Sequence, residues 1–338
     1  MSTLGNESNR MQVFRSLEEI PESFGPTIAV IGNFDGVHLG HRQVLGAVRE
    51  EARQIGARSV AITFDPHPQV FLRPDQAPLL IAPIPERLRL LAETGIDAVL
   101  ILPFGQKLAC LTARACVEDI LIRKLGVRSM HEGANFRFGY RAEAGVAELA
   151  EFGREFGFRV IVHAPVLVRG LEVSSSAIRE AIAAGDLRRA RWMLGRSFSV
   201  ASTPARGRGI GSKLLVPTVN LAPYSELLPA FGVYVTRLTI GQRGLPGGPE
   251  SGEPKHCFQA VSNVGNRPTF GEASFAVESY MLDYDATNAP VELAEETPLR
   301  LEFLYRLRPE MTWPSPESLK AQIMKDVGRA KRYFRLIA

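Results

Sequence analysis

The hydrophobic pattern changes its period once along this chain, near Gly195, and that change limits the possible folds more than any other feature of the sequence. Before it, short apolar runs alternate with amphipathic stretches. Thr27–Ile31, 60–64 and 98–102 read as buried strands, because a continuous apolar run of this length leaves no polar face for solvent. Between the first two, Val44, Leu45, Val48, Ala52 and Ile55 recur at helical spacing. Strand, helix and strand in that order make a βαβ unit, and hence a parallel sheet with helices on both faces. The alternation runs on through helical stretches at 85–94, 113–125 and 145–156, and two short helices, 176–184 and 187–194, close it.

After Gly195 the strand candidates Gly232–Ile240, 258–264, 276–284 and 299–307 are separated by Gly and Pro. That pattern predicts a compact antiparallel β-barrel. The stretch 241–255 holds five Gly and three Pro and reads as a surface loop. Leu319, Ile323, Val327 and Ala330 share one helical stripe, so a helix over 315–334 should pack on the barrel. The 338 residues, 45% of them hydrophobic, can fill two cores. The predicted class is α/β: a Rossmann-like N-terminal domain, 1–195, and a C-terminal antiparallel barrel with a terminal helix, 196–338.

Charge and cysteine usage narrow the functional classes. A net charge of +4 from 40 basic and 36 acidic residues, with no long basic run, argues against a nucleic-acid partner. No apolar run approaches the roughly 18 residues of a membrane span, and Met1 to Phe14 lack the apolar stretch of a signal peptide. A cytoplasmic protein without a membrane partner is the expectation. Cys110, Cys116 and Cys257 form neither a disulfide framework nor a metal-ligand spacing, and are expected to be reduced, mostly buried thiols.

The segment Ile31-Gly32-Asn33-Phe34-Asp35-Gly36-Val37-His38-Leu39-Gly40-His41-Arg42 leaves a strand through a glycine-rich turn and enters a helix. In a parallel sheet the crevice beyond the carboxyl end of the first strand receives ligands, and the helix N-terminus favours an anion there. Gly32, Gly36 and Gly40 let the backbone approach a phosphate, and His38 and His41, three apart, can address one ligand. These residues resemble the HxGH nucleotidyltransferases, whose paired histidines bind ATP phosphates and stabilise the transition state as pyrophosphate leaves.

Three further segments, Thr63-Phe64-Asp65-Pro66-His67-Pro68, Gly133-Ala134-Asn135-Phe136-Arg137-Phe138-Gly139 and Val173-Ser174-Ser175-Ser176-Ala177-Ile178-Arg179, extend the likeness. With them the N-terminal half is similar to the adenylyltransferase module of bacterial bifunctional riboflavin kinase/FAD synthetases. The resemblance implies an ATP- and flavin-binding set of Gly32, Asn33, Phe34, Asp35, Gly36, His67, Asn135, Ser174, Ser175 and Arg179, with His38 and His41 catalytic. Asn135 stands where many relatives carry Asp. His67, between two prolines, also fits a rigid turn with a structural imidazole.

In the second half Pro217-Thr218-Val219-Asn220 follows the Gly- and Arg-rich stretch Arg206 to Lys213, whose backbone N–H groups and cations could close over a nucleotide. Together with Gly232-Val233-Tyr234, Asn263 to Phe270 and Val277 to Tyr284, it resembles the riboflavin kinase barrel. The resemblance makes Thr218 and Asn220 the residues that hold Mg²⁺ and ATP, Lys213 an ATP contact, and Glu278 the base for the riboflavin 5′-hydroxyl. Val216 replaces a usual aromatic, the Ser212 to Leu215 approach is altered, and Tyr280 stands where His is common. The implied function is phosphorylation of riboflavin to FMN and adenylylation of FMN to FAD, with riboflavin, FMN and ATP as ligands. The alternatives are a FAD synthetase with a silenced kinase domain, or a flavin or nucleotide sensor.

Overall fold

The structure is a computed structural model and describes residues 11–205, 218–241, 256–267, 274–284 and 293–337. Lys213 with its Gly/Arg-rich stretch, Val216, residues 268–270 and all but the first residue of the predicted loop 241–255 lie outside the described residues. The chain divides into two compact units, Met1–Ser174 and Ser175–Ala338.

Unit 1 is a doubly wound sheet. Its strands are β1 (Gln12–Phe14), β2 (Thr27–Ile31), β3 (Arg58–Asp65), β4 (Ala98–Pro103), β5 (Val127–Gly133) and β8 (Arg159–His163), in spatial order β1-β4-β3-β2-β5-β8. Every pairing in this sheet is parallel. Two two-residue pairs stand outside it, β6 (Arg137–Phe138) with β7 (Ala144–Gly145), and β9 (Leu167–Val168) with β10 (Leu171–Glu172).

Alternate residues of one strand feed opposite faces of the sheet, as strand geometry requires. Ile28 and Val30 join Leu45, Val48 and Ala52 of α1 (Leu39–Ile55) and Leu90 and Leu91 of a later helix, Ile84–Ala92. Ala29 instead joins Val117, Ile120 and Leu121 and, from Val146–Phe156, Leu149. The helix predicted at 113–125 opens with one short α-turn, Ala113–Ala115, and continues as wide π-turns over Cys116–Lys124. The Leu125 N–H accordingly reaches back five residues to the Ile120 carbonyl at 3.1 Å.

Unit 2 opens with a helix pair, Ser175–Ala183 and Leu187–Leu194, followed by seven strands: β11 (Phe198–Ser202), β12 (Pro204–Ala205), β13 (Thr218–Leu221), β14 (Gly232–Ile240), β15 (His256–Arg267), β16 (Ser274–Met281) and β17 (Leu299–Pro309). Their order is β11-β17-β14-β15-β16-β13-β12, with antiparallel neighbours throughout. The two edge strands, β11 and β12, are separated by Thr203 alone. The sheet must therefore curl until its edges approach, which is the predicted barrel. The helix pair belongs to this unit, where Arg306 of β17 donates to the Ala184 carbonyl at 3.3 Å.

The terminal helix, Pro316–Ile337, packs through Val327, Ala330 and Phe334 against Val233, Val235 and Leu304. Arg308 of β17 ties it down through Asp326, Nε to Oδ2 2.8 Å, with Asp326 buried. Ile323, expected on the buried stripe, is exposed, because only the second half of the helix meets the sheet.

A further expectation fails. Cys110 and Cys257 are exposed and Cys116 is half-buried, so the thiols are free but not mostly buried. Cys110 ends the short surface helix Gln106–Ala109, and Cys257 lies at the exposed start of strand β15, positions that a composition argument cannot separate from core. Among the described residues no helix is long and apolar enough to cross a membrane.

Candidate functional site

Because the strands of unit 1 run parallel, the segments that follow β2, β3 and β5 emerge along one edge of the sheet. The Gly32–Val37 turn follows β2, His67 follows β3 and Asn135 follows β5. The order reverses at β2, with β3 and β4 on one side and β5 and β8 on the other. This is the position at which doubly wound sheets take their ligands.

The turn itself is held in an unusual conformation. Phe34 and Val37 carry φ angles of +47° and +38°, and Gly36 one of +81°. Residues other than Gly rarely occupy this region unless the surroundings enforce it. Asp35 supplies that enforcement: it is fully buried, and its two carboxylate oxygens accept the N–H groups of Ile81 (3.0 Å) and Ala82 (2.8 Å). A Cβ on Gly36 would stand 3.0 Å from Ile81 Cγ2, so the turn lies pressed on that segment. The buried Phe34 ring sits beneath Gly32, where a Cβ would come within 3.2 Å of it. Asn33 turns its carbonyl to the Thr63 hydroxyl at 3.2 Å.

His38 caps α1, its Nδ1 accepting the His41 N–H at 3.3 Å. The two imidazoles stack, with centroids 3.6 Å apart and planes within 16°. Gly40 permits this, because a Cβ there would be 3.2 Å from the His38 ring. The same point lies 3.9 Å from the Val173 carbonyl, so the irregular segment after β10 that leads into Ser174 runs beside the start of α1.

Burial holds the His41 pKa well below its ordinary value, and His38 and the Arg87 guanidinium push it the same way. His41 is therefore a neutral imidazole at neutral pH, and its Nδ1 is buried without a hydrogen-bond partner among the described residues. A buried polar atom left so costs about 1–3 kcal/mol, which a ligand contact would remove.

The other sequence candidates fall into distinct places. His67 caps the short helix Pro68–Leu72, its Nδ1 accepting the Gln69 N–H at 3.2 Å; this is the rigid-turn role that its flanking prolines also allowed. Asn135 is exposed just beyond β5. Ser174 is the last residue of unit 1, whereas Ser175 and Arg179 lie on the first helix of unit 2.

Two residues at this site escaped the sequence reading. Arg87, 1% exposed, reaches Phe64 O at 3.3 Å and Ala82 O at 3.4 Å. Glu132, 2% exposed, accepts the Ile31 N–H at 2.8 Å. The signal was present in each case, as a charged residue on an otherwise apolar helical stripe and another inside a buried parallel strand.

In unit 2 the pairing register assembles the second group. Thr218 lies opposite Tyr280 and Asn220 opposite Glu278, so all four occupy one face of the β13–β16 pair. Glu278 also faces Asn263 of β15 on its other side. Asn220 Oδ1 is buried with no hydrogen-bond partner among the described residues, while Glu278 is exposed. On the opposite face, Thr236, Ser262 and Ser279 form a buried hydroxyl chain with 2.7 Å links.

Comparison with known proteins agrees with this division. A family model for FAD synthetase matches residues 20–177, and one for riboflavin kinase matches 194–334. The bifunctional riboflavin kinase/FMN adenylyltransferase of Escherichia coli K12 is 32% identical over 91% of this chain and 93% of its own. The protein of that name from Pseudomonas fluorescens is 33% identical over 95% and 97%. A crystal structure of a Streptococcus pneumoniae protein described as a macrolide-efflux protein shares the fold, with a TM-score of 0.81 at 24% identity over 95% of this chain and 98% of that one. The chain belongs to the bifunctional riboflavin kinase/FMN adenylyltransferase family.

Proposed function

We propose that this protein makes FAD in two steps, phosphorylating riboflavin with ATP in the barrel and adenylylating the resulting FMN with a second ATP at the doubly wound sheet. The observation that carries this reading is that each unit holds its own group of phosphate-handling residues, the stacked His38/His41 pair in one and the Thr218–Asn220–Glu278 face in the other.

In the adenylyl transfer, an FMN phosphate oxygen attacks the α-phosphorus of ATP and pyrophosphate leaves. Such transfers depend on position and charge stabilisation. His38 and His41 lie at the start of α1, where the helix dipole also favours the anion. His41, neutral and with Nδ1 unpartnered, is suited to hydrogen-bond a phosphate oxygen. Gly32, Asn33, Phe34 and Gly36 shape the turn and Asp35 fastens it, while His67, Asn135, Ser174, Ser175 and Arg179 are assigned to ATP and FMN binding. We place the functional division after Gly195, two residues into the riboflavin kinase match that starts at 194; the compact units divide after Ser174.

In the kinase step the riboflavin 5′-hydroxyl attacks the γ-phosphorus of ATP, the bond from that phosphorus to the β–γ bridging oxygen breaks so that ADP leaves, and the hydroxyl proton passes to Glu278. A carboxylate within hydrogen-bond reach is an adequate base for that alcohol. Mg²⁺ is a hard ion that takes oxygen ligands, and the orphaned carbonyl oxygen of Asn220, two residues from the Thr218 hydroxyl on the same face, fits it. Bound there, the ion would neutralise phosphate charge; Lys213 is assigned to the same nucleotide. Incubation with riboflavin, ATP and Mg²⁺ should yield FAD with transient FMN. Riboflavin left unchanged while added FMN is converted would leave only the adenylyltransferase, and no conversion of either would refute both assignments.

A further inference from the structure

The strands on either side of the switch point separate before they end. β2 and β5 pair from Thr27/Val127 to Ala29/Met130 and no further, although both continue toward the carboxyl edge. Beyond that point the Ile31 N–H has no ladder partner on β5. The Glu132 side chain takes its place, Oε1 accepting that N–H at 2.8 Å, while the next amide, Gly32, turns the other way to the Ile62 carbonyl at 2.9 Å. The side chain thus spans the split directly before the Gly32–Val37 turn, one residue before the Gly133–Asn135 segment.

An acid in this place is costly. Glu132 is 2% exposed, and carboxyl groups are almost never so buried unless paired. Among the described residues no cation pairs with it; burial raises its pKa well above the ordinary range against a single opposing N–H. An apolar side chain would fill a buried strand more cheaply but could not accept from Ile31.

Resting on the adenylyl-transfer reading above, we propose that Glu132 is a positioning residue of that site: it holds the end of β2, and with it the phosphate-binding turn, across the opening between β2 and β5 where the nucleotide enters. Its working form is the neutral acid. An ionised carboxylate beside the incoming phosphates would repel them, and would do so more strongly in a water-poor crevice.

The titratable groups around Glu132 lie on β5 itself, on α1 and on β8. On the neighbouring residue, His131 contacts Glu51 of α1 (2.6 Å) and His163 of β8 (3.0 Å), and Arg159 closes on Glu51. His38 and His41 stand on the turn and its helix. The pKa values of His41 and His163 are lowered, and substrate phosphates lose their last proton near pH 6.

The test uses the full-length chain with Glu132→Gln and Glu132→Leu, following FMN adenylylation and riboflavin phosphorylation between pH 7 and 9.5. Gln keeps the acceptor for Ile31 and cannot ionise. It should match wild-type kcat and KM for ATP at pH 7 within about twofold, and should lack the alkaline fall in rate expected of the wild type. Leu should raise KM for ATP about tenfold or more, with riboflavin phosphorylation unchanged. A wild type without an alkaline fall, a Gln variant that retains it, or a Leu variant with wild-type KM overturns the role of Glu132. If Leu does not fold, the Gln pH profile decides alone. Wild-type protein that forms no FAD from FMN at any pH refutes the adenylyl-transfer reading itself, a separate outcome.

Discussion

Replacing Asp35 with Ala probes how the phosphate-binding turn is held. The carboxylate accepts two buried N–H groups, from Ile81 and Ala82, which are 2% and 0% exposed. Removing both acceptors leaves two donors unsatisfied at about 1–3 kcal/mol each, or about 2–6 kcal/mol in all. Domain stabilities are roughly 5–15 kcal/mol, so the loss should open the turn locally before it unfolds the unit. At 1.36 kcal/mol per factor of ten, the lower bound corresponds to about 30-fold faster amide exchange. The assay is native-state hydrogen exchange at Ile81 and Ala82, alongside FMN adenylylation. Asp35→Asn retains one acceptor oxygen and should cost about half as much. Riboflavin phosphorylation should be unaffected in both variants. Unchanged exchange at both amides in the Ala variant would refute the assignment of Asp35 as the fastener of the turn.

Three further outcomes follow from the site geometry. His38→Ala or His41→Ala should lower FMN adenylylation by about 10²–10³-fold, the usual effect of losing one transition-state donor, and leave riboflavin phosphorylation intact; equal loss of both activities in folded protein counts against the assignment. Glu278→Gln should do the reverse, and wild-type FMN production by that variant would remove Glu278 as the base. The depressed His41 pKa means that the folded protein binds that proton less readily than the unfolded chain. The associated stability is complete above the unfolded value near 6.5 and is lost as pH falls below it. The stability of wild type relative to His41→Gln, read from amide exchange in α1, should therefore decline from pH 7.5 to pH 5; a constant difference refutes it.

Both layers of the architecture were legible in the sequence, because hydrophobic period is a local property. Thr27–Ile31 and Gly232–Ile240 are strands with the bounds that their apolar runs define. The His38/His41 pair was legible for the same reason: residues three apart across a strand-to-helix turn meet whatever the rest of the chain does. The three-residue β1 was too short to carry a period, and the π-turns of Cys116–Lys124 differ from an α-helix by a register that composition does not encode.

What the tertiary structure decided is the use made of charged and polar side chains far apart in sequence. Asp35 reads as a ligand contact from its motif, and packing against Ile81 and Ala82, more than forty residues away, gives its carboxylate two backbone donors that the motif does not name. Glu132 is one acid in a strand until the separation of β2 from β5 makes its side chain the bridge between them. The exposed Cys110 and Cys257 show the same limit, since a small residue suits either face of an element. Sequence period determines which elements form and which way they face. Whether a buried polar group meets a ligand or a backbone amide depends on which distant segment packs against it, and that is settled only when the whole sheet is assembled.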